Sequence, residues 1–163
     1  MCKVLTPSKE TRALRGTFGK YPTGVAVAIA QNDEGELVGM TINSFTSASM
    51  VPPLVTWCID RKAASYCTFA NCQGFSLTIL SAKQADLAQR FATRGIDKFK
   101  DIKLDNSHSI PALAGGSAVM RCHHYRSMLM GDHLILVGLV MDHDQTDKQP
   151  LVFAEGQFQR LAS

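Results

Sequence analysis

The chain has 163 residues, a formal charge of +3 and a sequence pI of about 8.6, with 45% hydrophobic and 19% charged residues. That size suits one domain, and the balance excludes a disordered tail and a coiled coil. The charge is too weak to argue for a nucleic-acid partner. The longest apolar run, Gly24 to Ala30, falls far short of the ~20 residues a membrane helix needs.

In chain order, Thr6-Pro7 reads as an N-cap and first helical position. Ser8 to Lys20 then reads as a helix with Leu14 and Phe18 on one face. Tyr21 to Gly24 ends it. Val25 to Gln31 is rich in β-branched residues and predicts a strand. Asn32 to Gly35 is a turn cluster, and Glu36 to Asn43 the return strand of a hairpin. Ser44 to Ser49 is small and polar, which predicts a loop. After Pro52-Pro53, Leu54 to Ile59 is a buried strand. Lys62 to Asn71 predicts a short helix and Gly74 to Leu80 a strand. Ser81 would cap a helix running through Phe91, and Gly95 to Pro111 is irregular. Ser117 to Tyr125, His133 to Met141 and Leu151 to Phe158 read as three more strands.

About seven short strands with few helices predict a mainly-β domain over residues 1–163, a closed or partly closed barrel. A parallel βαβ fold would need helices after most strands, and the last third has none. Met1 to Glu10 lacks the apolar core of a signal peptide. The cysteines are Cys2, Cys58, Cys67, Cys72 and Cys122, an odd set without CxxC spacing. That fits neither a disulfide framework nor a zinc site. It reads as reduced, mostly buried thiols in a cytoplasmic protein.

Four places could carry chemistry. Gly39 to Leu54 offers Thr41, Asn43, Ser44, Thr46, Ser47 and Ser49 after a strand. Short hydroxyls and exposed backbone N–H groups make an anion cradle; a plain polar turn has the same composition. Asp60-Arg61-Lys62 with Ser65 puts cations and a hydroxyl at a helix start, where anions are favoured, or forms a solvated basic turn. Arg94 to Lys98-Phe99 places further cations in a loop. Gly131-Asp132-His133 precedes an apolar strand: Gly allows a tight turn, and Asp can orient an imidazole that bonds a ligand. His123-His124 point to opposite faces of one strand, which disfavours a shared metal. No GxGxxG or GxxxxGK[ST] loop and no GxSxG elbow occurs. Cys58 lies within an apolar run and reads as a buried thiol rather than a nucleophile.

At these same residues the sequence resembles the short-chain flavin reductases, the reductase components of two-component flavin-dependent monooxygenases. The matching pieces are PTGVAVA from Pro22, GMTINSFTSASMVPPLV from Gly39, Ser65-Tyr66, GFSLTIL from Gly74, LAQRFA from Leu87, DKF from Asp97 and GDHLILVGLV from Gly131. They span about Arg12 to Leu161. The chain departs from the common pattern at Val51, Thr78, Leu139 and Phe158.

The resemblance implies a split β-barrel binding FMN or FAD, a homodimer, and flavin reduction by NADH or NADPH for a monooxygenase partner. It implies that Thr41, Ile42, Asn43 and Ser44 lie against the isoalloxazine. Ser47, Ser49, Ser65 and Lys62 would bind the phosphate. Phe91, Ala92 and Arg94 would complete the flavin site. His133 would face the nicotinamide, with Phe158 part of its wall. Such chemistry needs no protein nucleophile, because the cofactors carry it. Two alternatives remain open: a flavoprotein that keeps its FMN and serves another acceptor, or a flavin-binding module without turnover.

Overall fold

The computed structural model describes residues 9–161. The cap expected at Thr6-Pro7 lies outside them. Lys9–Phe18 (α1) opens the described chain. Leu14 and Phe18, expected to form its packing face, are exposed, and the helix buries no residue.

Five strands follow. They are Thr23–Gly24 (β1), Ala26–Gln31 (β2), Leu37–Ile42 (β3), Thr46–Met50 (β4) and Pro53–Asp60 (β5). Next come Tyr66–Asn71 (α2), Gly74–Ile79 (β6) and Ala85–Ala92 (α3). Leu104–Asp105 (β7), Ala112–Leu113 (β8), Ala118–Met130 (β9) and His133–Gln145 (β10) lead to Val152–Ala154 (β11) and Gln157–Gln159 (β12).

The main sheet is seven-stranded and antiparallel, in the order β3-β2-β6-β9-β10-β5-β4. Its two ends, β3 and β4, are not paired with each other, so no hydrogen-bonded ladder among the described strands closes it into the barrel expected as one alternative. β1, β11 and β12 form a second, small sheet.

Each face of the main sheet buries its own core. Along β2 the alternation sends Ala26, Ala28 and Ala30 to one side, and Val27 and Ile29 to the other. Burial on both faces is why this segment reads as an unbroken apolar run. The first core centres on Trp57, edge-to-face with Phe69 at 4.9 Å and with Phe75 at 5.7 Å. The second lies under α3, where Phe91 joins Val25, Leu80 and Leu151.

Several boundaries differ from expectation, for physical reasons. Ser44 to Ser49 is not all loop, because Thr46–Met50 pairs with β5 as an edge strand. An edge exposed to water needs no apolar pattern, so composition hid the strand. β9 and β10 run on to Met130 and Gln145. They meet in a two-residue turn in which Gly131 takes φ +59, the Gly-first geometry suited to tight hairpins. Leu151 to Phe158 is a hairpin rather than one strand, turning at Glu155 and Gly156. The short helix expected from Lys62 starts only at Tyr66. Ser81 does not cap α3; Gln84 holds that position. The Gln84 side chain reaches back and accepts from the Ser81 N–H at 2.9 Å and hydroxyl at 3.2 Å.

Candidate functional site

The site grows from the open edge of β3. Asn32 N–H donates to Glu36 C=O across the hairpin turn at 3.0 Å. Pairs alternate between hydrogen-bonded and non-hydrogen-bonded along an antiparallel ladder. Counting from that bond, Ile29–Gly39 and Val27–Thr41 are non-hydrogen-bonded pairs. Gly39 and Thr41 therefore aim their backbone N–H and C=O groups away from β2. The Gly39 carbonyl duly accepts from Lys98 Nζ at 3.1 Å.

A cleft of about 550 Å³ runs along this edge. Residues 37–41 form its floor. One wall comes from Asp60 and residues 63–65 and 68, the other from Phe91, Ala92 and residues 94–99. Gly39 sits where the second wall presses closest. A Cβ there would lie 2.7 Å from Phe91 Cε1 and 3.0 Å from Phe99 Cζ. Only glycine lets this edge-to-face aromatic pair, 5.2 Å apart, pack on the strand. Thr41 Oγ1 donates to Ala88 C=O at 2.6 Å and ties α3 to the same edge.

Of the residues singled out from sequence, Thr41, Ser65, Phe91, Ala92 and Arg94 all line this cleft. Ser65 Oγ donates to Met40 Sδ at 3.3 Å. Ile42 is buried in the first core, and Asn43 is exposed just beyond β3. Ser44 is engaged elsewhere. Its hydroxyl accepts from Cys58 N–H at 2.9 Å and donates to Cys58 C=O at 3.2 Å. Pairing of β4 with β5 begins at Thr46–Thr56, so this side chain stands in for the next rung of the ladder.

Ser47 is exposed and Ser49 half-buried on the outer edge of β4, and neither lines the cleft. Lys62 is exposed, and its backbone N–H donates to Asp60 Oδ1 at 2.7 Å. Phe158 lies on β12 against Phe153, outside the cleft lining.

His133 starts β10 directly opposite Asp60, itself a cleft residue. The turn before it is locked to the basic turn, because Arg61 N–H donates to Asp132 C=O at 3.0 Å. Two segments about 70 positions apart thus meet at one end of the cleft. Asp132 Oδ1 lies 2.8 Å from His133 Nδ1 and orients the ring. That bond, followed by the imidazole's charge, holds the Asp132 carboxyl below the usual carboxylate range.

Sequence reasoning read Lys98 only as one cation of a polar loop. In the structure its ammonium donates to Phe91 C=O at 2.8 Å as well as to Gly39 C=O. Burial, then the charge of Arg94, pushes its pKa below that of an ordinary lysine. Gly39 and Asp60 were legible as motif members, but their contacts join β3, β5 and α3 and leave no local signal.

The match to known proteins covers these same elements. The family model of the flavin reductase like domain matches residues 18–162. FMN reductase (NADH) SmoA of Agrobacterium fabrum is 36% identical over 161 residues, covering 98% of this chain and 91% of that one. The NADH-dependent FAD reductase of Streptomyces globisporus is 33% identical over 165 residues, covering 97% and 90%. The solved structure of the Streptomyces globisporus C-1027 NADH:FAD oxidoreductase SgcE6, in complex with NAD and FAD fragments, superposes with a TM-score of 0.87. It is 32% identical and covers 99% of this chain and 98% of that one. With the family's motifs laid along one continuous cleft, and with likeness over nearly the whole length, the chain belongs to the flavin reductase like family.

Proposed function

We propose that the protein is an NAD(P)H-dependent flavin reductase that supplies reduced FMN or FAD to a partner monooxygenase. The observation that carries this reading is the cleft on the open edge of β3, with the Gly131-Asp132-His133 turn docked at its end. The residues present fit a flavin. The outward N–H of Gly39 and the outward N–H and C=O of Thr41 suit the polar rim of an isoalloxazine, and Phe91 and Phe99 supply an apolar wall. The hydroxyl of Ser65 on the other wall, with the exposed cation of Lys62 in the turn just before it, suits a phosphate.

Bound flavin supplies the redox chemistry, taking hydride from a reduced nicotinamide. The chain's own part is positioning and electrostatics. The β3 edge and the Phe91 wall fix the ring plane, which lowers the entropic barrier to ring-on-ring contact. Backbone donors on β3 stabilise charge that develops on reduction. His133, held by Asp132, orients the nicotinamide at the open end.

In this reading Ser47 and Ser49 serve the phosphate in a homodimer, in which a second copy completes the site near β4. Exposed Met50 and Val51, at the end of β4, give that dimer apolar surface to bury. The free thiols of Cys58, Cys67, Cys72 and Cys122 suit the reducing cytoplasm.

The test is oxidation of NADH and of NADPH by the purified protein with FMN, FAD, riboflavin or no flavin added. The expected result is turnover that depends on added flavin. Turnover by a protein that purifies yellow and needs no added flavin would replace release with a retained prosthetic group. Absence of turnover with every pair would overturn the proposal.

A further inference from the structure

Lys98 is the charged group most firmly built into the cleft. Its ammonium ties one wall to the floor, donating to Phe91 C=O at the end of α3 and to Gly39 C=O on the β3 edge. The backbone beneath it is fixed. Asp97 Oδ1 accepts from Phe99 N–H at 3.1 Å and from Lys100 N–H at 3.2 Å. From the far side, Arg90 Nη2 donates to the carbonyls of Asp97 at 3.1 Å and Lys100 at 2.6 Å.

An ammonium carries three N–H donors, and the two carbonyls use two of them. Lys98 takes part in none of the ion pairs among the described residues. Arg94 on the same wall adds a second positive charge. A half-buried cation without a counter-ion is costly to keep, and an anionic ligand would offset that cost.

Two kinds of anion could answer: a phosphate, or a ring that becomes negative. The surroundings favour the ring. Beside Arg94 and Asp97, the lining near Lys98 is apolar: Leu37 and Val38 on the floor, and Phe91, Ile96 and Phe99 on its own wall. A phosphate would lose its hydration there, whereas a planar aromatic ring would not. The hydroxyl-bearing residues Ser65 and Thr68 lie on the opposite wall. A fully reduced isoalloxazine loses a ring proton near neutral pH and spreads the negative charge over the ring; the oxidised ring is neutral.

We propose that Lys98 directs its remaining N–H to the anionic reduced ring, so that the cleft prefers reduced over oxidised flavin. The inference rests on the flavin-reductase reading above. It adds an electrostatic role to a residue whose visible contacts are structural.

The experiment measures dissociation constants of oxidised and chemically reduced FMN and riboflavin at mildly alkaline pH. It uses the parent protein, Lys98→Met and Lys98→Arg. Lys98→Met is expected to lower the preference for the reduced form about tenfold, because a charge-assisted hydrogen bond is lost. For a two-electron couple that is a bound-flavin midpoint about 30 mV lower. The loss should be the same with riboflavin, and Lys98→Arg should retain most of the preference. Equal weakening of both oxidation states would make Lys98 a clamp only and overturn the inference. A loss with FMN but not with riboflavin would assign Lys98 to the phosphate and overturn the inference as well. A parent that binds neither oxidation state would refute the flavin-reductase reading itself, before any variant is compared. Lys98→Gln keeps a donor for the two carbonyls without the charge, and serves if Lys98→Met does not fold.

Discussion

The two edges of the main sheet are built from one sequence motif and treated in opposite ways. β3 is covered: α3 and the segment after it lean on it, Thr41 is tied to Ala88, and Lys98 grips Gly39. β4, only a few residues on, is bare. Thr46, Ser47, Ala48 and Met50 are all exposed there, and Val51 beyond them is 92% exposed. A covered edge has fixed, directional backbone groups facing a cleft. A bare edge has hydroxyls and apolar side chains facing whatever approaches. An unprotected edge is normally a hazard that proteins blunt or cover, which is why a second copy near β4 is a natural part of the proposed assembly.

The largest effect should come from attacking the covered edge. Gly39→Val puts a branched side chain into a space where even a Cβ lies 2.7 Å from Phe91. Overpacking of this kind costs about 1–3 kcal/mol. A thermal melt should fall by roughly 2–4 °C for each kcal/mol in a chain of this length. An unchanged melting temperature would mean the Phe91 wall moves freely.

Between the edges, Ser44→Ala removes the side chain that satisfies Cys58 N–H. Leaving that donor without a partner should cost about 1–2 kcal/mol, measurable by urea titration. Loss of no stability would show that β4 extends its pairing to take over the bond.

On the bare edge the prediction is reversed in kind. Ser47→Ala combined with Ser49→Ala should leave the melting temperature within a degree or so, since surface changes alter stability little. It should weaken FMN binding about tenfold while sparing riboflavin, because in the proposed assembly these hydroxyls donate to the phosphate. Equal affinity of the double variant and the parent for FMN would take β4 out of the site.

The smallest effect concerns what covers β3. The segment that carries residues 94–99 is anchored further on, where Arg121 bonds Asp105 and donates to Ile110 C=O at 3.2 Å. The Ser107 contacts to Asp105, and then Arg121, hold the Asp105 carboxyl down to about 2 from an ordinary 3.8. A depressed carboxylate pKa adds stability that is fully present above 3.8 and lost as pH falls toward 2. Asp105→Asn should therefore flatten the acid dependence of stability between those limits. Because this carboxylate is well exposed, the change should be slight. Hydrogen exchange should show it on the segment over β3 and not on β4; an effect on β4 instead would break the contrast between the edges.

The cleft's parts were unequally legible. Gly39 to Leu54 stood out by composition, and its start does lie at the site, but its hydroxyls read as one cradle. Its first half is an edge strand with outward backbone groups, and its second half is another strand on the opposite edge. Ser44, with the look of a ligand hydroxyl, is spoken for by Cys58. Lys98 looked like a solvated cation and is instead wedged between two carbonyls. Leu14 and Phe18 share one apolar helix face, as their spacing predicts, but that face is exposed.

By itself the sequence determined the mainly-β class, most strand positions and the family, because alternation, turn residues and motif order are local or linear properties. Tertiary structure alone decided that the sheet stays unclosed between β3 and β4. It also decided that the Gly131 turn meets the Asp60 turn, and that Lys98 lies over Gly39. Those facts depend on pairing and packing between residues tens of positions apart, where no local preference points to the partner.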